Sequence, residues 1–170
     1  MTRRELLLAT PLIIAAGCGG GDTAPTSNPQ IAELINQLYD TRHLWRERNS
    51  SFSWYTLNVQ FASEATGQAW EIKTTDFNTN VNSSVVSATP ELTEEQRAAI
   101  FAQFGSVEYI YDYYIRKAQQ LLTNPNVESY NVATSGSHVP TSEELVLKSG
   151  ASGGQLTDRV TVTGFRTLSA

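Results

Sequence analysis

The apolar residues of this chain change period twice, and that change limits the fold more than any other feature. Tyr55, Leu57, Val59 and Phe61 alternate with Thr56, Asn58 and Gln60. Period two means a strand with one buried face. Ala65-Thr66-Gly67-Gln68 reads as a turn, and Trp70 and Ile72 then alternate with Glu71 and Lys73 in a second strand. Asp76 to Ser84 is polar and Asn-rich and reads as a loop, with a short third strand at Val85–Ala88 before Pro90. Later, Val127–Thr134, Glu143–Lys148 and Asp158–Phe165 read as strands between Ser/Gly-rich turns.

Helical period occupies two other places. Asn28-Pro29 suits an N-cap and first turn, and Ile31, Leu34, Ile35, Leu38 and Trp45 follow on one stripe, predicting a helix over 28–48. Arg46 and Arg48 near its end favour the helix dipole, and Asn49 suits its terminus. Thr93-Glu94-Glu95-Gln96 is a capping box opening a short helix that stops at Gly105. Ser106 caps another, with Val107, Ile110, Tyr114, Ala118 and Leu121 as its stripe and Asn124-Pro125 after it. Grouped helices between groups of alternating strands predict a single α+β domain. Its antiparallel sheet would have about five to six strands packed against two or three helices.

The domain is preceded by a leader. Arg3 and Arg4 form a basic segment and Leu6–Ala16 an apolar run, too short for the roughly 20 residues that span a bilayer but suited to a secretory signal. Ala15-Ala16-Gly17-Cys18 resembles the bacterial lipobox, with Ala15 where Leu is usual. The resemblance implies cleavage between Gly17 and Cys18 and lipid, palmitate among its acyl chains, on Cys18. Two or more chains anchor a protein stably where one does not. The bounds are thus a signal peptide over 1–17, a Gly/Thr/Ser/Pro-rich tether over 18–29 and a domain over 30–170. A buried free cysteine is the competing reading of Cys18, and the flanks disfavour it. Thr2-Arg3-Arg4-Glu5-Leu6-Leu7 also resembles a twin-arginine export motif, with an ordinary basic segment preferred. Gly19 is not the Asp of the inner-membrane retention signal of enterobacterial lipoproteins.

Charge and cysteine content narrow the function. The chain has 12 Lys and Arg against 17 Asp and Glu; loss of Arg3, Arg4 and Glu5 with the leader moves the formal charge from −5 to −6. An acidic domain without a basic block argues against nucleic acid and against electrostatic binding to anionic lipid. With one cysteine no intramolecular disulfide forms, so the core must hold the fold.

The segments HLWRERNSSFSWYTLNV, VVSATPELT, FGSVEYIYDYYIRKAQ, HVPTSEELVLK and DRVTVTGF carry a further resemblance. Together they resemble a family of small bacterial lipoproteins and secreted proteins defined only as a domain of unknown function. In that family a Trp-bearing helix leads into a Tyr-bearing strand, a helix follows, and a Gly-aromatic-Pro-Thr turn joins two strands. Trp45, Tyr55, Val107–Ala118 and Val139-Pro140-Thr141 occupy those places, over roughly residues 35 to 165. Many members carry a cysteine pair around the first strand, absent here, and Ser137-His138-Val139 replaces the Gly-aromatic. The resemblance therefore implies location and fold, and no chemistry.

Motifs that suggest chemistry mostly dissolve on inspection. Gly150-Ala151-Ser152-Gly153-Gly154 matches a nucleophile elbow, but no histidine follows His138 and a strand follows the glycines, so an inter-strand loop is preferred. Asp76-x-Asn78-x-Asn80 resembles the start of a calcium loop, yet Val81 and Ser87 stand where Gly and Glu are needed. His43 and Glu47 share a helix face, but two ligands are not a site. Glu94-Glu95 and Glu143-Glu144 are adjacent pairs that split across faces. Tyr109, Tyr111, Tyr113 and Tyr114 cannot all be buried on one helix; packing is preferred over a recognition surface.

No catalytic, cofactor or metal residue is assigned. The expected function is that of a lipid-anchored, non-enzymatic protein of the bacterial cell envelope that binds or scaffolds a periplasmic or surface partner. Its membrane contact runs through Cys18. The alternatives are a small-ligand carrier using the sheet, or a hydrolase using His138 with Glu143 or Ser152.

Overall fold

The computed structural model describes residues 27–77, 80–151 and 158–169. Its elements run α1 (Pro29–Asn49), β1 (Phe52–Ala62), β2 (Ala69–Asp76), β3 (Val81–Thr89), α2 (Glu94–Phe104), α3 (Val107–Leu121), β4 (Val127–Thr134), β5 (Pro140–Leu147) and β6 (Arg159–Ser169). The six strands form one antiparallel sheet in the order β3-β2-β1-β6-β5-β4. Two three-stranded meanders therefore meet where β6 returns beside β1, and the helices between them lie across one face. The α+β class, the strand number and the helix number are as the sequence predicts.

Local chemistry places each helix. The Asn28 side chain accepts from the Gln30 and Ile31 amides, and Pro29 fills the first turn of α1. Thr93 and Gln96 close a reciprocal capping box on α2, and the Ser106 side chain caps α3 at Tyr109. Ile31, Leu34, Leu38 and Trp45 of α1 and Val107, Ile110, Tyr114, Ala118 and Leu121 of α3 are buried against the sheet. Between the two helices, Arg42 bridges Glu108 and Asp112, both at 2.8 Å, and Arg46 joins Glu108 at 2.7 Å.

The sheet contributes Tyr55, Leu57, Val59, Trp70, Ile72, Val160 and Val162 to the same core. Burial of each large apolar side chain contributes about 1.5–3 kcal/mol. The opposite face is polar: Asn58 Nδ2 and Gln60 Nε2 donate to the Glu71 carboxylate across β1 and β2.

A bulge corrects the phase of β6. Thr56 faces Arg166 and Asn58 faces Thr163, so Leu57 stands opposite two residues, Gly164 and Phe165. Gly164 has φ 64°, the left-handed conformation of the first residue in such a bulge. The extra residue turns Phe165 to the core, where its ring lies 5.7 Å from Trp45 and 5.8 Å from Tyr55.

Three strand boundaries differ from the sequence reading. β3 runs over Val81–Thr89 where a loop and a short strand are expected; its first residues pair with Thr74, Thr75 and Asp76 on a sheet edge, where polar side chains stay solvated and give no period-two signal. β5 starts at Pro140, and β6 extends to Ser169 through its pairing with the first residues of β1.

Candidate functional site

The polar centre of the molecule lies inside the second meander, at the seam between β5 and β6. Among the described residues the ladder between β5 and β6 has one register pair, Ser142 opposite Thr161. One step further along, the Glu143 side chain takes over from the backbone. Its Oε1 accepts the Val160 amide at 2.8 Å. Its Oε2 takes the Lys117 ammonium at 2.8 Å and the Tyr130 hydroxyl at 2.7 Å, and the Tyr113 hydroxyl approaches Oε1 at 3.4 Å.

Lys117 reaches this carboxylate from α3. Its three donors are all occupied, by Glu143, by the Asp158 carbonyl at 2.5 Å and by the Tyr113 hydroxyl at 3.4 Å. The ammonium also lies 5.7 Å from the Tyr113 ring centroid and 5.8 Å from that of Tyr130. Tyr114, one residue along the helix, donates to the Val160 carbonyl at 3.0 Å. The side chains of Lys117 and Glu143 are only 10% and 2% exposed, so this pair is held in a dry environment.

Burial first, and the Glu143 charge second, push the Tyr113, Tyr114 and Tyr130 hydroxyls well above the ordinary tyrosine value. The phenols therefore stay protonated and serve as fixed donors. Every partner of the pair is engaged, so the network ties α3, β4, β5 and β6 together. It leaves no free acid or base.

A cleft of about 380 Å³ opens beside this network, between α2, α3 and the start of β6. Gln103, Tyr113, Arg116, Lys117, Gln120, Leu121 and Asp158 line it. Asp158 Oδ1 is buried and has no hydrogen-bond partner among the described residues. A second cleft of about 330 Å³ lies along α3, with Tyr39 and Tyr109 in its wall, and shares Gln103 and Arg116 with the first.

The residues singled out from sequence fall mostly elsewhere. Gly17, Cys18, Asn78 and Ser152 lie outside the described residues. His43 and Glu47 pair at 3.3 Å on the solvent face of α1, at 71% and 62% exposure. Asp76 Oδ2 accepts the Tyr55 hydroxyl at 2.8 Å. His138 sits in the β4–β5 turn at φ 59°, its carbonyl taking the Tyr111 hydroxyl at 2.6 Å, and it is not among the partners of Glu143. Glu94 and Glu95 occupy the first turn of α2. Glu143 and Glu144 split across the sheet as expected, Glu143 inward and Glu144 exposed. Of the four tyrosines on α3, Tyr111 and Tyr114 are fully buried, Tyr113 is half-buried and Tyr109 is exposed, so packing dominates. Among the described residues no three His, Cys, Asp or Glu side chains are placed to hold a metal ion, and no helix is long and apolar enough to cross a membrane.

Sequence reasoning missed Lys117, Tyr130 and Asp158. A signal for the pair was present: Lys117 lies three residues after Tyr114 and four before Leu121, on the apolar stripe, and Glu143 is in phase with Leu145 and Leu147. Two opposite charges in apolar phase mark a buried ion pair.

Compared with models of protein families, with curated proteins and with solved structures, the chain finds no match.

Proposed function

We propose that this chain is a lipid-anchored, non-enzymatic protein of the bacterial cell envelope whose α+β domain binds a partner outside the cytoplasmic membrane. The observation that carries the anchor is the order of parts at residues 1–29: basic segment, short apolar run, small residues, Cys18, then a Gly/Thr/Ser/Pro-rich stretch. The resemblance to small lipoproteins of unknown function supports the same location.

The saturated Lys117–Glu143 network supports a binding role over a catalytic one. General acid–base work needs a group with a free lone pair or proton within reach of substrate. Glu143 and Lys117 have spent theirs on each other and on their neighbours. Clefts remain for recognition, among them the two along α3 and larger open ones of about 590 and 670 Å³ beside the start of α1.

Cell fractionation of the wild type and of Cys18→Ser tests the anchor. The wild type is expected with membranes and the variant in the soluble fraction; equal membrane association of both refutes it. In-cell cross-linking of the anchored form tests the binding role, which fails if the abundant anchored protein captures nothing and binds no ligand.

A further inference from the structure

An edge strand presents a free row of backbone donors and acceptors, and folded proteins guard such rows with charge, proline, bulges or a covering helix. The two edges of this sheet are β4 and β3. β4 is guarded. Its Glu128 carbonyl takes the Asn28 side chain at 3.1 Å, Glu128 itself carries a charge, and register shifts break its pairing with β5 towards both ends. α1 flanks that edge, with Gln30, Glu33 and Gln37 facing Ser129 and Asn131 across an open cleft.

β3 is open. Among the described residues no side chain and no loop bonds to the backbone of Val81–Thr89 outside its ladder with β2. The strand, VNSSVVSAT, has no charged residue. In this it matches β1, which has none either and lies between two neighbours. β3 thus has the composition of an interior strand in an edge position. Val81 and Val86 are 43% and 57% exposed along it. Its one bulge falls at Val86 and leaves Val81–Val85 in unbroken register with β2, from Asp76 to Ile72.

That regular run is complementary to itself. Antiparallel pairing about a twofold axis at Ser83 sets each Val81 opposite Val85 of the second copy and each Asn82 opposite its Ser84. Val81, Ser83 and Val85 alternate onto the helix-covered face, where Ser83 Oγ meets Thr74 Oγ1 at 2.9 Å and Val85 packs on the core. The valine pairs therefore fall on the apolar side and the Asn–Ser pairs on the polar side, both favourable cross-strand combinations. No like charges meet at this seam, although each chain carries a formal charge of −5. A single surface serves both copies, as a twofold interface requires. With the axis along the membrane normal both chains hold Ser27 at one height, so two anchored copies can pair in one membrane.

We propose that β3 pairs antiparallel with β3 of a second copy of this chain, centred on Ser83, and joins two six-stranded sheets into one. This goes beyond the envelope reading and does not depend on lipid at Cys18.

Sedimentation equilibrium of the full chain with Cys18→Ser, in density-matched detergent, measures the pairing over about 5–500 µM. The mass is expected to rise towards that of a dimer across this range. Asn82→Lys adds a charge on the polar face of β3, opposite Thr75 and away from the core. It is expected to weaken the dimer by about tenfold or more at an unchanged melting temperature. Asn131→Lys makes the same charge change on β4 and is expected to leave the dimer intact. Because Cys18→Ser removes the one cysteine, Ser83→Cys in that background reports the axis. Air oxidation with copper phenanthroline is expected to link two copies through Cys at 83 and not through Asn131→Cys. A chain that stays monomeric throughout, a dimer indifferent to Asn82→Lys, or linkage through position 131 in place of 83 overturns the proposal. So does a monomer that pairs β3 with a strand of a different protein. A monomer that Cys18→Ser still releases from membranes overturns this inference and leaves the anchor standing. A β3 dimer of a chain that Cys18→Ser fails to release does the reverse.

Discussion

Removing one side of the Lys117–Glu143 pair tests whether the network holds β5 to β6 and to α3. In Lys117→Met the Glu143 carboxylate, 2% exposed, keeps its hydroxyl and amide donors but loses its cation. In Glu143→Leu the ammonium is stranded, and the Tyr130 hydroxyl and Val160 amide lose their acceptor. Breaking a buried pair from one side costs about 3–5 kcal/mol. At this domain size that is a drop of roughly 10–15 °C in melting temperature. The double variant Lys117→Met/Glu143→Leu strands no charge and leaves the same Tyr130, Tyr113 and Val160 donors without an acceptor as Glu143→Leu does, so its cost should fall below that of Glu143→Leu alone. Urea denaturation followed by tryptophan fluorescence measures all three. A strongly non-additive cycle is expected, with the double variant more stable than Glu143→Leu. Amide exchange should locate the loss at Val160 and along β5, because the Val160 amide is held by the Glu143 side chain. Additive costs, or single variants within about 1 kcal/mol of wild type, would refute the reasoning.

The other predictions concern titration and backbone. Burial raises Tyr55, Tyr111, Tyr113, Tyr114 and Tyr130, five of the seven tyrosines, above the ordinary value of 10.0, so their stabilising effect is complete below pH 10 and is lost as pH rises beyond it. With up to five extra protons held by the folded state, the slope approaches about 7 kcal/mol per pH unit, and absorbance of tyrosinate at alkaline pH should rise in one cooperative step with loss of the near-UV signal; independent, gradual titration would count against it. For Glu108, burial pushes the carboxyl up, but hydrogen bonds from Arg46 and Arg42 outweigh it and the net shift is downward from 4.5. Its contribution is therefore present above pH 4.5 and fades on acidification, and Glu108→Gln should flatten the stability profile below that pH in acid titration of the fold. Arg46, 57% exposed, contributes little, and Arg46→Ala should cost under about 1 kcal/mol in urea. Gly164→Ala should cost about 1–2 kcal/mol by the same measurement, from its φ of 64° alone, since a Cβ there meets nothing nearer than Asn58 at 3.9 Å.

Elements with a clear period and a clear cap were legible. The stripe of α1, the capping box of α2 and the alternation of β1 are each written in local sequence, and the structure follows the two helices within a residue while β1 starts three residues before the alternation. β3 was not, because an edge strand with Asn82, Ser83 and Ser84 buries too little to leave a pattern. Phe165 looked out of phase with Val160 and Val162, and only Gly164 beside it hints at the bulge that turns it inward. Both clefts escaped for another reason: Gln103, Arg116 and Gln120 are ordinary polar residues on exposed helix turns, and nothing local tells that Asp158 will be brought against them.

The buried pair joins these observations. The two meanders are locked where they meet by the long ladder between β1 and β6. Within the second meander the ladder between β5 and β6 has one register pair among the described residues, and a carboxylate from β5 with an ammonium from α3 reinforces it. Lys117 also donates to the Asp158 carbonyl, which ties the residue before β6 to α3.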